Sequence, residues 1–521
     1  MTTSVDGGQS TPARRGARWS WAAVGLVLAA GMILRLMDLT DEPLDFHPTA
    51  QLLRALTARE MYQSSTAESG SSPVVTPYEV LEPPILERLT ALTYRIVGGE
   101  APWVARIWNA IFWLMAAVFL FRMASKATSI GGGLVSLAYF LIIPLGVQVS
   151  RAFMPDSLMI LMIVLSGYFL VRWADDGRWE SAVLAGVASG AAILVKGRIA
   201  PMVLLTVLAV AFGSGRWRRL RREPQMWAVG LLTVSIPAVY YAGMTLGSTT
   251  GWVQGFSLDV LWMILSPSHY SRWLAFLDQV VYVGVMLLGL YGATLLAAST
   301  RRLSLGWWGG FLATGLLLPY HAVTHSYYSV PLVPVISLGL APVGQILLDR
   351  LRGLAPAWRA VAIGAALLMV FYPAWRSRSV IVGQDFRGEP AGWQALANKL
   401  PTDGAMIAIT QDYGYRLAYY GGRHVTLWPS AADLSYADLR GQGGDGAFSD
   451  VFEERTRGFR YFLVTNMGEL DSQPELKDHL YAHFPQISTA EEFLLFDLSP
   501  TTGMSPGRDA VSLGSSTRVA S

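Results

Sequence analysis

Four carboxylates and an imidazole fall within eleven residues after the first long apolar run: Asp38, Asp41, Glu42, Asp45 and His47, followed by Pro48. Such a cluster at the mouth of a hydrocarbon layer is costly unless it is hydrated, paired or used. The same residue types return at later breaks between apolar runs. Glu82 precedes Pro83-Pro84, and Arg106 lies one turn into the second run. Arg151 and Asp156 share the short turn Arg-Ala-Phe-Met-Pro-Asp, Lys196 and Arg198 flank Gly197, and His321, His325, Tyr327 and Tyr328 close another turn. A carboxylate can take a proton from a hydroxyl nucleophile, and Lys and Arg can hold phosphate oxygens through charge-assisted bonds. For Asp156 the alternative is a helix start, where proline followed by a carboxylate complements the helix dipole. Histidines four apart can ligate a metal on a helix, but histidine and tyrosine also populate membrane interfaces. No metal and no cofactor is required by these spacings.

These groups must be positioned by a membrane frame. The 521 residues are 52% hydrophobic and only 15% charged, with mean hydropathy +0.37; soluble domains carry about 25% charge. The reading is a polytopic membrane protein in contact with membrane lipids and without a nucleic-acid partner. With no cysteine, neither a disulfide nor a thiolate metal site is available, and an oxidising compartment is permitted.

Apolar runs of spanning length cover 19–37, 103–121, 130–149, 158–173, 226–246, 273–298, 305–320, 328–348 and 358–372. A further run, 182–212, is interrupted by Lys196-Gly197-Arg198. Arg14, Arg15 and Arg18 put the N-terminus in the cytoplasm, and the dense basic loop 216–222 lands inside only if the interrupted run crosses twice. Two crossings of about 14 residues span only about 21 Å each, which leaves Lys196 and Arg198 below the outer surface. About eleven helices follow, and everything after Arg376 lies outside. The first run continues into Arg35 without a small-residue cleavage site, so it is expected to stay as an anchor.

The division is then a cytoplasmic tail at 1–18, a membrane domain at 19–375, an α/β domain at 376–500 and a disordered tail at 501–521. Within the membrane domain, 38–102 is an outer loop with two amphipathic surface helices, one from Pro48 and one from Ile85 to Gly98-Gly99. Strands are expected at 405–410, 461–465 and 492–498, with helices at 392–400 and 474–484 between them.

In this order the motifs resemble the GT-C glycosyltransferases, in particular the bacterial branch related to protein O-mannosyltransferases and the lipid A aminoarabinose transferase. The features are Asp41-Glu42-Pro-Leu-Asp45-Phe-His47-Pro48, the Pro-Pro to Gly-Gly segment, the Arg-Ala-Phe-Met-Pro-Asp and Lys-Gly-Arg turns, and His-Ser-Tyr-Tyr before Val-Pro-Leu-Val-Pro. The resemblance implies a polyprenyl-phosphate-linked sugar donor and inverting transfer to a glycan, lipid or protein acceptor at the outer face of a bacterial inner membrane. Many members carry Asp-Glu two residues after the first-loop histidine, where this chain has Thr49-Ala50. The resemblance then assigns the base to Asp45, with Asp156 orienting the site. His47, Glu82, Arg106, Arg151, Lys196, Arg198, His325, Tyr327 and Tyr328 are assigned to substrate. A carrier or flippase for a lipid-linked solute, and an inactive relative acting in envelope assembly, are the alternative classes. Against a carrier, the charges gather at one face rather than at the midplane of related halves.

Overall fold

The computed structural model describes residues 12–64, 82–213, 223–247, 258–442, 446–490 and 492–499. The basic loop 216–222, most of the loop 64–72, the centre of the glycine-rich link 441–446 and the tail 501–521 lie outside the described residues. The chain is mostly helical. Helix α1 (Pro12–Leu36) leads into α2 (Pro48–Gln63) and α3 (Ile85–Val97) of the first outer segment. Next come α4 (Trp103–Ala127), α5 (Ile130–Ile142), α6 (Pro144–Val149), α7 (Asp156–Asp176), α8 (Trp179–Val195) and α9 (Ala200–Gly213). The membrane domain ends with α10 (Pro224–Gly247), α11 (Pro267–Val281), α12 (Val283–Leu295), α13 (Ala298–Leu317), α14 (Pro319–Thr324), α15 (Leu332–Arg352) and α16 (Pro356–Val382). Proline opens several of these, where its missing N–H and fixed φ suit the first turn.

Among the described residues, α4, α7, α10, α15 with its lead-in and α16 are long and apolar enough to cross a membrane. The pair α11 and α12, bent by 90°, makes a sixth, and α1 from Ser20, α5, α8 and α9 are shorter apolar helices. Length and composition thus account for up to six of the eleven expected crossings. None of the most apolar window of α16 is buried, as a helix facing lipid on every side requires. Helix α16 also runs past the end of its apolar run at 372.

Glycines set the closest helix contacts. A Cβ on Gly292 of α12 would stand 1.9 Å from the Gly339 carbonyl oxygen of α15, and one on Gly339 would stand 1.9 Å from that of Gly289. Small residues let two backbones touch inside a membrane, where apolar side chains have no hydrophobic drive to associate.

Strands β1 (Met406–Ile409), β2 (Thr426–Leu427), β3 (Tyr461–Val464), β4 (Gln486–Ala490) and β5 (Phe493–Asp497) form one sheet in the order β2-β1-β3-β5-β4. The first three run parallel, and β5 is antiparallel to β3 and β4. Strands β1 and β3 are buried at every residue, so they read in sequence as continuous apolar runs. The two-residue β2 and the polar β4 carry no such signal. Around the sheet pack α17 (Glu389–Lys399), α18 (Tyr415–Gly421), α19 (Ala431–Leu439), α20 (Phe448–Thr456), α21 (Met467–Asp471) and α22 (Pro474–His483). Strand side chains alternate between two cores. Ile407, Ile409, Phe462 and Phe496 meet Trp428, Phe452 and Leu476, whereas Ala408, Leu463 and Leu495 join Trp393 and Leu417 in the core continuous with the membrane domain.

Gly339→Val is expected to abolish a monodisperse folded peak in detergent size-exclusion chromatography. Gly230→Ala, where a Cβ meets nothing within 4 Å, is expected to leave that peak unchanged.

Candidate functional site

The end of α1 shows how the segment between α1 and α2 is held. Its last carbonyls have no partner within the helix. Arg151, 1% exposed, donates to the carbonyls of Leu34 at 3.5 Å, Arg35 at 3.2 Å and Asp38 at 3.2 Å, and also to that of Met37. Arg106 donates to the carbonyls of Asp38 at 2.8 Å, Leu39 at 3.2 Å and Glu42 at 3.0 Å. Arg151 thus takes over terminal carbonyls of a helix whose C-terminus favours cations, and Arg106 holds the carbonyls of the loop that follows. Their effect is to turn the chain, through left-handed Asp38 and His47, so that Asp45 and His47 face inward.

Asp45 is fixed from two sides. Its carboxylate lies 3.4 Å from Arg106 and accepts from Gln51 Nε2 at 3.1 Å. Gln51, fully buried on α2, also accepts from the Phe153 amide at 2.7 Å, which ties the Asp45 loop to the turn that presents Asp156. Asp45 and Asp156 therefore lie at the same end of the bundle.

Asp156 starts α7 and is fully buried, with one oxygen 2.8 Å from Lys196 Nζ and the other 3.0 Å from Arg198. Both cations come from the break between α8 and α9, where Lys196 is extended and Gly197–Ile199 forms a single 3-10 turn. The break aims the two side chains at one carboxylate. Glu82 lies 4.0 Å from Lys196 and pairs with Arg54, which also meets buried Glu87 at 2.8 Å. Three carboxylates thus face three cations. Tyrosines cover them: Arg198 lies 3.8 Å over the ring of Tyr328, and Lys196 lies 5.2 Å over that of Tyr327. The His47 ring meets Tyr327 edge-on at 4.8 Å and its Nε2 is 3.0 Å from Ser326 Oγ. His325 stacks 6.2 Å from His47 and 5.7 Å from His321.

Burial sets the proton equilibria on the rim. It lowers the pKa of His47, an effect opposed by Asp156 and reinforced by Lys196. It drives His321 and His325 down to about 4, so both rings are neutral near pH 7. It raises the pKa of Glu42, against a bond from Tyr420 Oη at 3.0 Å.

The structure therefore gathers Asp156, Lys196, Arg198, Glu82, His47, His325, Tyr327 and Tyr328, with Asp45 beside them through Gln51. Arg151 turns its donors to main-chain carbonyls instead, and Arg106 divides its donors between main-chain carbonyls and Asp45. Gln51, Arg54 and Glu87 were not singled out by sequence as site residues. Arg54 and Glu87 are polar residues of the two amphipathic helices, and both are buried and paired, while Leu92 and Ile96 of α3 are exposed. Thr49 donates to Asp412 of the α/β domain at 3.3 Å, so a carboxylate from another segment stands beside the position where the resembled family carries its acidic pair.

Residues 81–241 match the family described as dolichyl-phosphate-mannose-protein mannosyltransferase. No curated protein matches the sequence. Among solved structures, ArnT from Cupriavidus metallidurans in the apo state is similar over 92% of this chain and 98% of its own, at 16% identity and a TM-score of 0.55. The Archaeoglobus fulgidus oligosaccharyltransferase in its apo form is similar over 85% of this chain and 69% of its own, at 12% identity and a TM-score of 0.54. The archaeal oligosaccharyltransferase AglB from Archaeoglobus fulgidus, in complex with an inhibitory peptide and a dolichol-phosphate, is similar over 86% of this chain and 69% of its own, at 12% identity and a TM-score of 0.50. The chain thus shares the fold of GT-C glycosyltransferases and is a polytopic membrane protein.

Two outcomes are expected. Asp156→Ala leaves two cations facing each other in a buried site and lowers unfolding stability by about 3–5 kcal/mol, read as a lower melting temperature in detergent; unchanged melting would count against the clamp. His321 and His325 have folded-state pKa values of about 4, below their ordinary 6.5, so their contribution is present above pH 6.5 and is lost as pH falls from 6.5 to 4. Replacing both by Gln is expected to flatten the melting temperature across that window.

Proposed function

We propose that the protein transfers a sugar from a polyprenyl-phosphate donor to an acceptor hydroxyl or phosphate at the outer face of a bacterial inner membrane. In this reading the chain crosses about eleven times, with the N-terminus in the cytoplasm and the α/β domain outside. Transfer is an inverting single displacement. Asp45 takes the acceptor proton, the acceptor oxygen attacks the anomeric carbon, and the bond from that carbon to the donor phosphate oxygen breaks. The departing lipid phosphate is received by Lys196 and Arg198, and the acceptor is a glycan, lipid or protein.

The observation that carries this reading is the buried pairing of Asp156 with both cations of a broken helix, beneath two tyrosines. A guanidinium has five N–H donors and an ammonium three, more than the oxygens of Asp156 use. Asp156 is thus a positioning residue that pre-aims two phosphate-binding groups, which lowers the reorganisation needed as charge develops on the leaving group. Asp45 suits the base because its carboxylate is 16% exposed, whereas that of Asp156 is fully enclosed. His47, Tyr327, Tyr328 and His325 form the wall between base and cations, and Glu82 sets Lys196 from behind. The dolichol-phosphate in the archaeal structure supports a lipid phosphate as the donor's leaving group, and the matched family description supports a lipid-linked sugar.

Asp45→Asn is expected to slow transfer from polyprenyl-phosphate sugar by the roughly 10²–10⁴-fold that a general base supplies, with donor binding retained in a lipid-phosphate binding assay. Turnover at the wild-type rate would remove Asp45 from the mechanism.

A further inference from the structure

The second built pocket lies outside the site just described, at the carboxyl ends of the parallel strands. The chain leaves β1 into α18, which packs on one face of the sheet through Leu417, and leaves β3 into α21 and α22, which pack on the other through Leu470 and Leu476. Adjacent parallel strands whose connections depart to opposite faces leave a crevice between their ends, the position at which open α/β sheets hold ligands. A cavity of about 240 Å³ occupies that crevice. This is less than the roughly 300–1,000 Å³ that encloses a drug-sized ligand, and it suits one ring.

The lining decides what kind of ring. It offers the carboxylates of Asp412 and Glu469, the amide of Asn466 and the hydroxyl of Ser430, with Tyr413 and Trp428 as aromatic walls, and includes no Lys or Arg. Arg416, which holds Asp412 at 2.5 Å, is also bound to Glu389 at 3.0 Å. A phosphate or carboxylate ligand would meet two carboxylates, and the guanidinium behind Asp412 is already shared between Asp412 and Glu389. Sugar hydroxyls are donors that carboxylates accept well, and the apolar face of a sugar ring packs on aromatic rings. Asp412 and Tyr413 are both held in left-handed backbone, which presents them to the crevice in succession.

The pocket also borders the membrane domain. Its remaining wall includes Thr49, two residues from His47, and Thr49 donates to Asp412 at 3.3 Å. Tyr436 of α19, the helix capped by Ser430, stacks 4.4 Å from Tyr320 beside His321. We infer that this crevice binds one neutral, hydroxyl-rich sugar residue of an acceptor glycan and holds that glycan against the rim carrying Asp45 and His47. The inference gives the preceding reading an acceptor class, and its test is binding alone.

The purified full-length protein in detergent is titrated with the methyl pyranosides of glucose, galactose and mannose, with glycerol phosphate as the anionic control, by saturation-transfer NMR. At least one glycoside is expected to bind saturably, at least tenfold more weakly in Asp412→Asn and in Thr49→Trp, which fills the pocket mouth from the membrane-domain side. Asp45→Asn is expected to leave that binding unchanged, so failure of the transfer mechanism and failure of this site are distinguishable. Absence of saturable glycoside binding, equal binding in both pocket variants, or displacement of the glycoside by glycerol phosphate would each overturn the inference.

Discussion

A single enclosed carboxylate governs this architecture. Asp156 has no access to water, and a buried charge without partners is among the least tolerable features a fold can contain. Its two partners cannot come from a continuous helix, because Lys196 and Arg198 must approach from a backbone that has stopped being helical. The break between α8 and α9 is therefore the geometric condition for the ion pairs. The tyrosines of the His-Ser-Tyr-Tyr turn then close over the cations, and each group is held because its neighbours are held.

A second constraint acts at the end of α1. Carbonyls at and just beyond the helix end need donors, and Arg151 and Arg106 provide them from the turn before α7 and from α4. One pair of residues thereby joins three elements and sets where the first outer loop begins. Gln51 carries the linkage onward by touching both the Asp45 loop and the Phe153 amide. Precision at Asp45 is consequently inherited from packing contacts that have no chemical role of their own.

The α/β domain is not a loosely tethered appendage. The Phe386 amide donates to Asp41 at 2.8 Å, Arg59 lies 3.8 Å over Tyr419, and Tyr420 reaches Glu42. Two of these contacts fall on the acidic loop and one on α2, so the α/β domain meets the helices beside the candidate site.

Much of this was legible in the residues themselves. Apolar run lengths placed α4, α7, α10, α15 and α16, and continuous apolar tetrads placed β1 and β3, because burial on all sides leaves a compositional trace. The turns holding Asp45, Asp156, Lys196, Arg198 and Tyr327 were visible because charge beside a hydrocarbon run is expensive and therefore conspicuous. What the sequence could not reveal was partnership. Arg106, Arg151, Lys196 and Arg198 look alike as cations beside apolar runs, yet Arg151 satisfies main-chain carbonyls, Arg106 does so while also pairing with Asp45, and the other two hold Asp156. Arg54 and Glu87 resemble solvated helix faces, and Thr49 gives no hint of Asp412, 363 residues away. Composition and periodicity record the medium around each segment, whereas pairing depends on which segments meet. Tertiary contact alone decides that.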